Sequence, residues 1–232
     1  MQPSDRLNKW FARPQGKHVL QTFGQELKSM DRFLYGTHML ELGLCDQFTC
    51  REFLRFPCAW VVSSSADNHQ CNFIASHQAL PLANSSVDCI LAPFSLELCP
   101  QKKMLLDEID RVLKPMGHVI FFGVNPWSLW GGALRISGAK FDDGTTVKAC
   151  SSMYIQHHML ALSYEQIELN NCYFIPPLCF ISPKKEEKWM HRLEFLNEMG
   201  KMLWPCPAGF YCLVMQKYSA CITPLVSQAL VA

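Results

Sequence analysis

The sequence contains no Cys-x-x-Cys pair, although twelve of its 232 residues are cysteine. Common zinc sites and thioredoxin-like redox motifs are built on that pair. Most cysteines lie inside apolar runs, as Cys89 does in VDCILA and Cys212 does in GFYCLVM, which is typical of free buried thiols in a reducing compartment. His69, Cys71 and His77 come nearest to a metal cluster, but their spacing matches no usual zinc pattern. We therefore predict neither a metal site nor a disulfide framework.

Long apolar runs are also missing, and none reaches the roughly 18 residues that a membrane-spanning helix needs. The chain begins MQPSD, which lacks the order of basic and then apolar residues found in secretory signals. We therefore expect a cytoplasmic protein without a membrane span.

The sequence has no excess of charge of either sign, because 21 basic and 20 acidic residues leave a formal net charge of +1. A protein that binds nucleic acid normally carries a basic stripe that neutralises several phosphates, and no such stripe is visible. Nucleic acid is therefore not expected as the main ligand. Hydrophobic residues make up 49% of the chain, which favours a folded domain over disorder.

Hydrophobic periodicity divides the chain into regions. An apolar residue recurs every three or four positions from Leu20 to Leu34, which predicts an N-terminal helical segment over residues 1–36. Residues 37–218 are predicted to form one domain, in which 125–163 is a less regular stretch and a candidate cap or substrate region. Residues 219–232 are an apolar tail without a clear pattern.

Strand and helix patterns alternate within that domain. Strands are predicted over 38–44, 60–63, 71–75, 87–92, 118–124, 172–175 and 210–217. Helices are predicted over 46–56, from Pro100 to about residue 113, over 164–169, and over 184–203 with Trp189 and Met199 facing inward. Residues 114–117 are predicted to form a turn. Asp107, Glu108 and Asp110 are predicted to form the solvated face of their helix.

This alternation predicts an open α/β sheet with helices on both faces. In such folds ligands bind at the carboxyl ends of the strands, near the point where the strand order reverses. MLELGLCDQF, at residues 39–48, ends a predicted strand, so its loop is predicted to lie at a binding edge.

Four segments resemble class I S-adenosylmethionine-dependent methyltransferases: ELG at 41–43, LPLANSSVDCILA at 80–92, LLDEIDRVLKPMGHVIFFG at 105–123 and GFYCLVMQK at 209–217. The chain is similar to the small-molecule, type 11-like branch, in a bacterial subgroup with a degenerate glycine motif. The resemblance covers residues 36–217. It implies a Rossmann-like α/β fold: a mostly parallel twisted sheet with helices on both faces and an antiparallel final strand. It also implies S-adenosyl-L-methionine as the cofactor and a small methyl acceptor.

The resemblance also implies which residues contact the cofactor. Glu41 and Gly43 match the first motif, while Cys45 stands where relatives have a second glycine. Ser63 and Ser64 replace an acidic residue that holds the ribose, and Ser76 replaces an aspartate that meets the adenine amino group. Ala92 and Phe94 are expected to form a wall at the end of the fourth strand. Each weakened contact is expected to cost about 1–3 kcal/mol.

Methyl transfer mainly needs alignment of acceptor and cofactor, because the sulfonium already carries an activated methyl group. Asn125, His157 and Glu97 are the candidates on the acceptor side, beside Trp127 and Trp130. The alternatives are an Asn-Pro turn, a surface histidine pair and two core tryptophans.

Two functions remain open from the sequence. The first is methyl transfer to a small, apolar or aromatic acceptor. The second is a catalytically inactive protein of the same fold that acts as a binding or assembly partner. A nicotinamide oxidoreductase is excluded, because no G-x-G-x-x-G motif follows the first strand.

Overall fold

The computed structural model describes residues 9–42, 53–63, 71–137, 148–178, 183–200 and 207–218. The helices are α1 Pro14–Met30, α2 Ser95–Leu98, α3 Lys102–Val112, α4 Leu129–Ser137, α5 Ser152–Ala161, α6 Pro183–Leu193 and α7 Phe195–Gly200. The strands are β1 His38–Leu42, β2 Cys58–Ser63, β3 Phe73–Ile74, β4 Val87–Pro93, β5 Leu113–Val124, β6 Tyr164–Cys172 and β7 Phe210–Lys217. Within these residues no helix is both long and apolar enough to cross a membrane.

All seven strands form one sheet in the order β3-β2-β1-β4-β5-β7-β6. Strands β1 to β5 pair in parallel, and β7 runs antiparallel to both β5 and β6. The predicted mostly parallel α/β sheet with an antiparallel final strand is therefore confirmed. The strand order reverses between β1 and β4, which places the expected ligand crevice at the carboxyl ends of these two strands.

Alternate residues of the central strands face two hydrophobic clusters, one on each side of the sheet. Helix α1 covers one face, where Phe23 and Leu27 pack with Leu91 and Phe122 among others. Helices α3 and α5 cover the other face, where Ile109 and Ile155 join a cluster with strand residues such as Phe121. The stripe predicted for the N-terminal helix is buried, and Pro14 lies at the start of α1, where its fixed φ suits a helix.

The motif segment 80–92 contains a structural carboxylate at the amino end of the sheet. Asp88 accepts hydrogen bonds from the backbone N–H groups of Thr37 (3.0 Å) and His38 (2.9 Å) and pairs with Lys114 Nζ (2.7 Å). It therefore joins β1, β4 and β5. Gly36 has φ +140°, and a Cβ atom there would collide with Asp88, so only glycine suits this approach.

Glu108 of α3 does more than face solvent, which corrects the sequence prediction for this residue, whereas Asp107 is exposed as predicted. Glu108 accepts a hydrogen bond from the backbone N–H of Leu80 (2.6 Å) and pairs with Arg111 (2.7 Å). Arg111 also donates to the carbonyls of Leu80 and Leu82. Helix α3 thereby fixes the loop that leads into β4, so this part of the motif serves the scaffold.

Several predicted elements were wrong. Residues 164–169 belong to strand β6, which continues to Cys172, and residues 114–117 lie within β5. The stretch 125–163 contains two regular helices, α4 and α5. Helix α3 begins two residues after Pro100, and the helix predicted over 184–203 is two helices on which Trp189 and Met199 are exposed. Most of the helix predicted over 46–56 lies outside the described residues.

Candidate active site

The carboxyl ends of β1, β2 and β4 meet at the point where the strand order reverses. Glu41 is buried near the end of β1, aligned with Val61 of β2 on one side and Leu91 of β4 on the other. Ser63 is buried at the end of β2, and its carbonyl accepts a hydrogen bond from the N–H of Ala75 after β3. The structure therefore brings Glu41 and Ser63 to one edge. Three further cofactor contacts predicted from the sequence lie outside the described residues: Gly43, Cys45 and Ser64.

Ser76 lies just beyond β3 and is exposed. Its Oγ atom accepts from the N–H of Gln78 at 3.3 Å, and its carbonyl accepts from the N–H of Ala79 at 3.0 Å. Ser76 therefore forms a turn at the same edge of the sheet, and its contact with an adenine ring stays a prediction.

His77 was not identified as a ligand contact from the sequence. Burial lowers its pKa, against the opposing effect of a hydrogen bond between its ring and the backbone of Val62 in β2. Its Nε2 atom is shielded from solvent and has no hydrogen-bond partner within the described part of the chain.

The end of β4 turns sharply into α2. Phe94 has φ +50°, its N–H donates to the carbonyl of Phe122 at 2.7 Å, and its preceding residues Ala92 and Pro93 are buried. The ring of Phe94 packs in the core, with ring centroids 5.5 Å from Phe11 and 5.6 Å from Phe23. The ring of Phe94, expected to form an aromatic wall for the ligand, is therefore part of the hydrophobic cluster under α1. Only the backbone turn at Phe94 remains available to contact a ligand.

Glu97 lies in α2 and carries a buried carboxyl to the carboxyl end of β5. Its Oε1 atom accepts from the N–H groups of Val124 (3.1 Å) and Cys150 (3.3 Å). Burial raises the pKa of Glu97, although Lys102 and these backbone donors act in the opposite direction. This carboxyl therefore ties the end of β5 to the segment that precedes α5.

Gly123 makes room for that buried carboxyl. A Cβ atom at this position of β5 would lie 2.8 Å from Oε1 of Glu97 and would collide with the hydroxyl of Tyr211. Tyr211, in β7, donates its hydroxyl hydrogen to the carbonyl of Cys150 at 3.0 Å. Strand β7, through Tyr211, and α2, through Glu97, thus hold residue 150 beside the carboxyl end of β5.

Asn125 follows β5 directly and forms a turn, because its Oδ1 atom accepts from the N–H of Trp127 at 3.1 Å. Trp127 is 78% exposed, whereas Trp130 packs against Trp10 and Phe210 and donates Nε1–H to the carbonyl of Ile175 at 2.9 Å. Trp130 is therefore a core residue. Asn125 directly follows Val124, whose N–H donates to Glu97, so Asn125 and Glu97 both lie at the end of β5.

His157 is exposed on α5, and its neighbour His158 pairs with Asp107 of α3 at 3.0 Å. Among the described residues, no hydrogen bond or ion pair joins His157 to Asn125 or Glu97. The assignment of these three residues to the acceptor side remains a prediction.

Comparisons with known proteins agree with this geometry. The family model of a methyltransferase domain matches residues 58–121. A SAM-dependent methyltransferase from Thermotoga maritima, described as a possible histamine N-methyltransferase, superposes with a TM-score of 0.62, with 15% identity over 92% of this chain and 95% of that one. Residues 58–121 thus match the model of the methyltransferase-domain family, and the chain has the Rossmann-like fold of these SAM-dependent methyltransferases. The resemblance to SAM-dependent methyltransferases seen in the sequence is confirmed, while the subgroup with a degenerate glycine motif stays a prediction.

Other relatives of this methyltransferase domain show how widely its fold is used. The [4+2]-cyclase SpnF superposes with a TM-score of 0.55, with 15% identity over 84% of this chain and 80% of that one. The uncharacterized protein YafS of Escherichia coli (strain K12) is 32% identical over 125 residues, which is 53% of this chain. That match spans 50% of the length of YafS.

Proposed function

We propose that this protein transfers the methyl group of S-adenosyl-L-methionine to a small, apolar or aromatic acceptor. The observation that carries the proposal is the edge at which β1, β2 and β4 end: it lies where the strand order reverses, and it holds Glu41, Ser63 and the turn after β4. The methyltransferase-domain match covers β2 and β4 of that edge.

The residues at this edge fit the nucleoside end of the cofactor. The Nε2 atom of His77 is buried and has no hydrogen-bond partner among the described residues, and His77 follows β3 closely in the sequence. A buried polar atom without a partner is costly, and a ligand N–H or O–H group would remove that cost. We assign this role to His77 Nε2. Ser63 and Ser64 are assigned to the ribose, and Glu41, Gly43 and Cys45 to the methionine end. Ser76, Ala92 and the backbone of Phe94 are assigned to the adenine ring.

Bound S-adenosyl-L-methionine would supply an electrophilic methyl group on sulfur. The protein would then hold the acceptor in line with that group and exclude water. No strong acid–base pair is required, and one is needed only for an acceptor with a poorly ionised hydroxyl or amine. Asn125 and Glu97 flank the end of β5, where an acceptor would lie.

The second candidate function is binding or assembly without methyl transfer. The substitutions Cys45, Ser63 and Ser76 at positions of the cofactor motif support this alternative of a catalytically inactive protein. The [4+2]-cyclase among the structural neighbours adds that this fold does not by itself determine the reaction.

Ligand stabilisation separates the two functions. S-adenosylhomocysteine at one hundred times its dissociation constant stabilises a protein that binds it by about 2.7 kcal/mol, which raises the melting temperature. We expect such a rise for the wild type, a smaller one for His77→Phe, and the full rise for the control His157→Phe. Absence of any rise at millimolar ligand would overturn the enzyme proposal in favour of the second function.

A further inference from the structure

A hollow of about 680 Å³ opens between the start of α3 and the segment before α5. It lies on the face of the sheet covered by these two helices. Its lining includes Lys102, Lys103 and Lys148, together with Met104, Ser151 and Tyr154. None of the described residues that line it is acidic.

Positive charge accumulates at this hollow: Lys102 interacts with the buried carboxyl of Glu97, but among the described residues neither Lys103 nor Lys148 has an acidic partner. Lys102 donates to the carbonyl of Leu96 and, at 3.3 Å, to the carbonyl of Lys148, so it draws two backbone segments together through neutral groups. Lys103 and Lys148 are exposed at its rim. The first turns of α3 and α5 contain no acidic residue, and lysines at a helix start add to the positive end of the helix dipole. An anion bound here would offset this repulsion.

We propose that this hollow binds the acid group of a small anionic molecule, a carboxylate or a phosphate. Resting on the proposed function, we further infer that this molecule is the methyl acceptor. Residue 150 lines the hollow and is held by Glu97 and Tyr211 beside the carboxyl end of β5 and the amino end of the antiparallel β7, so the hollow borders the acceptor side of the edge.

The lining also indicates what the rest of the ligand is. Pro100, Met104 and Tyr154 present apolar surface beside the lysines. Hollows of about 300–1,000 Å³ are the size that binds small molecules. Three lysines on a chain of net charge +1 are too few for the extended basic surface that nucleic acid requires. An aromatic or aliphatic acid therefore fits better than a polymer.

Two probes test the site in the absence of cofactor: inorganic phosphate and benzoate, titrated by calorimetry at constant ionic strength. The variant is Lys103→Gln/Lys148→Gln, and the control is Lys185→Gln/Lys188→Gln on α6, which removes the same charge from an exposed helix elsewhere. We expect saturable binding of at least one probe by the wild type. The first variant should bind that probe about tenfold more weakly, since two ammonium groups are lost, whereas the control should be unchanged.

Three results would overturn the proposal. These are the absence of saturable binding by the wild type, an equal loss in both double variants, and a loss confined to the binding of an oligonucleotide or of anionic vesicles. Melting temperatures of both variants check that they fold. Failure of the proposed function gives a different result. If the protein binds the probe but does not bind S-adenosylhomocysteine, the anion site is supported and only its assignment to a methyl acceptor is wrong.

Discussion

Glu97 is a single residue whose ionisation is coupled to the stability of the carboxyl edge. Burial raises its pKa from the ordinary value of 4.5. A carboxyl whose pKa rises on folding stabilises the folded state below its ordinary value, and this contribution is lost as pH rises through the folded-state pKa. Gln at this position keeps an oxygen that can accept from Val124 and Cys150.

We therefore predict that the melting temperature of Glu97→Gln, relative to the wild type, increases between pH 4.5 and pH 8. Thermal unfolding measured across this range by circular dichroism checks the slope. A difference that is constant with pH, or that falls as pH rises, would show that Glu97 is not a buried ionisable group.

Asp88 behaves in the opposite way. Burial acts to raise its pKa, but the bonds from Lys114, His38 and Thr37 outweigh burial and hold the pKa below 3.8. Such a group stabilises the folded state above its ordinary pKa, and this stabilisation is lost as pH falls through the folded-state pKa. We predict that Asp88→Asn costs about 2 kcal/mol at pH 7 and much less near pH 3. Urea unfolding at both pH values measures this, and an equal cost at both would contradict it.

At the residue scale, only some features of the candidate site follow from the sequence. Glu97 was a candidate because it follows β4, but its burial depends on Gly123 and Tyr211, which are far away in the sequence. His77 could have been noticed, since it follows Ser76 at the predicted adenine position. Its unpartnered nitrogen is a three-dimensional property that no spacing reveals.

At the scale of elements, α1 is attached to α6 by a buried ion pair. Glu186 is 1% exposed and binds Arg13 at 2.7 Å, and it also accepts from the N–H of Gln15. Removal of one partner from a buried pair leaves an uncompensated charge, which costs about 3–5 kcal/mol when the burial is complete. Arg13 is 26% exposed, so a lower cost is expected.

We predict that Arg13→Met destabilises the protein by about 2–3 kcal/mol in urea unfolding, whereas Arg13→Met/Glu186→Leu recovers most of the loss. The control is Arg55→Met, since Arg55 pairs with Asp31 while 91% exposed. That variant should change stability by less than about 0.5 kcal/mol. Equal costs for the two single variants would mean that the pair does not hold α1.

Elements differed in how well the sequence predicted them, for physical reasons. The apolar runs of β4, β5 and β7 are buried on both faces, and their patterns identified them. Strand β6 is an edge strand with a largely exposed, polar sequence, YEQIELNNC. Its sequence indicates a strand only weakly, and its conformation is set by pairing with β7, so residues 164–169 were wrongly predicted as a helix. The inward direction of Trp189 was wrong because α6 is held by Glu186 and Arg13 instead.

At the scale of the whole molecule, one sheet carries two kinds of information. Its amino edge holds Asp88 and Lys114, two residues of the segments that resemble methyltransferases, and their ion pair joins β4 to β5. Its carboxyl edge holds the residues proposed for ligands. The fold could therefore be predicted from motifs at one edge, while the chemistry depends on loops at the other, which is why fold and activity need separate tests.

The central claim is that the carboxyl edge of β1, β2 and β4 binds S-adenosyl-L-methionine, and calorimetric titration of the purified protein with this cofactor tests it most directly. We predict saturable binding at a ratio of one cofactor per chain, abolished by Gly43→Asp and unchanged by His157→Ala. Binding that survives Gly43→Asp but is lost in His157→Ala would contradict the location of the site, and no measurable heat with millimolar cofactor would contradict the claim itself.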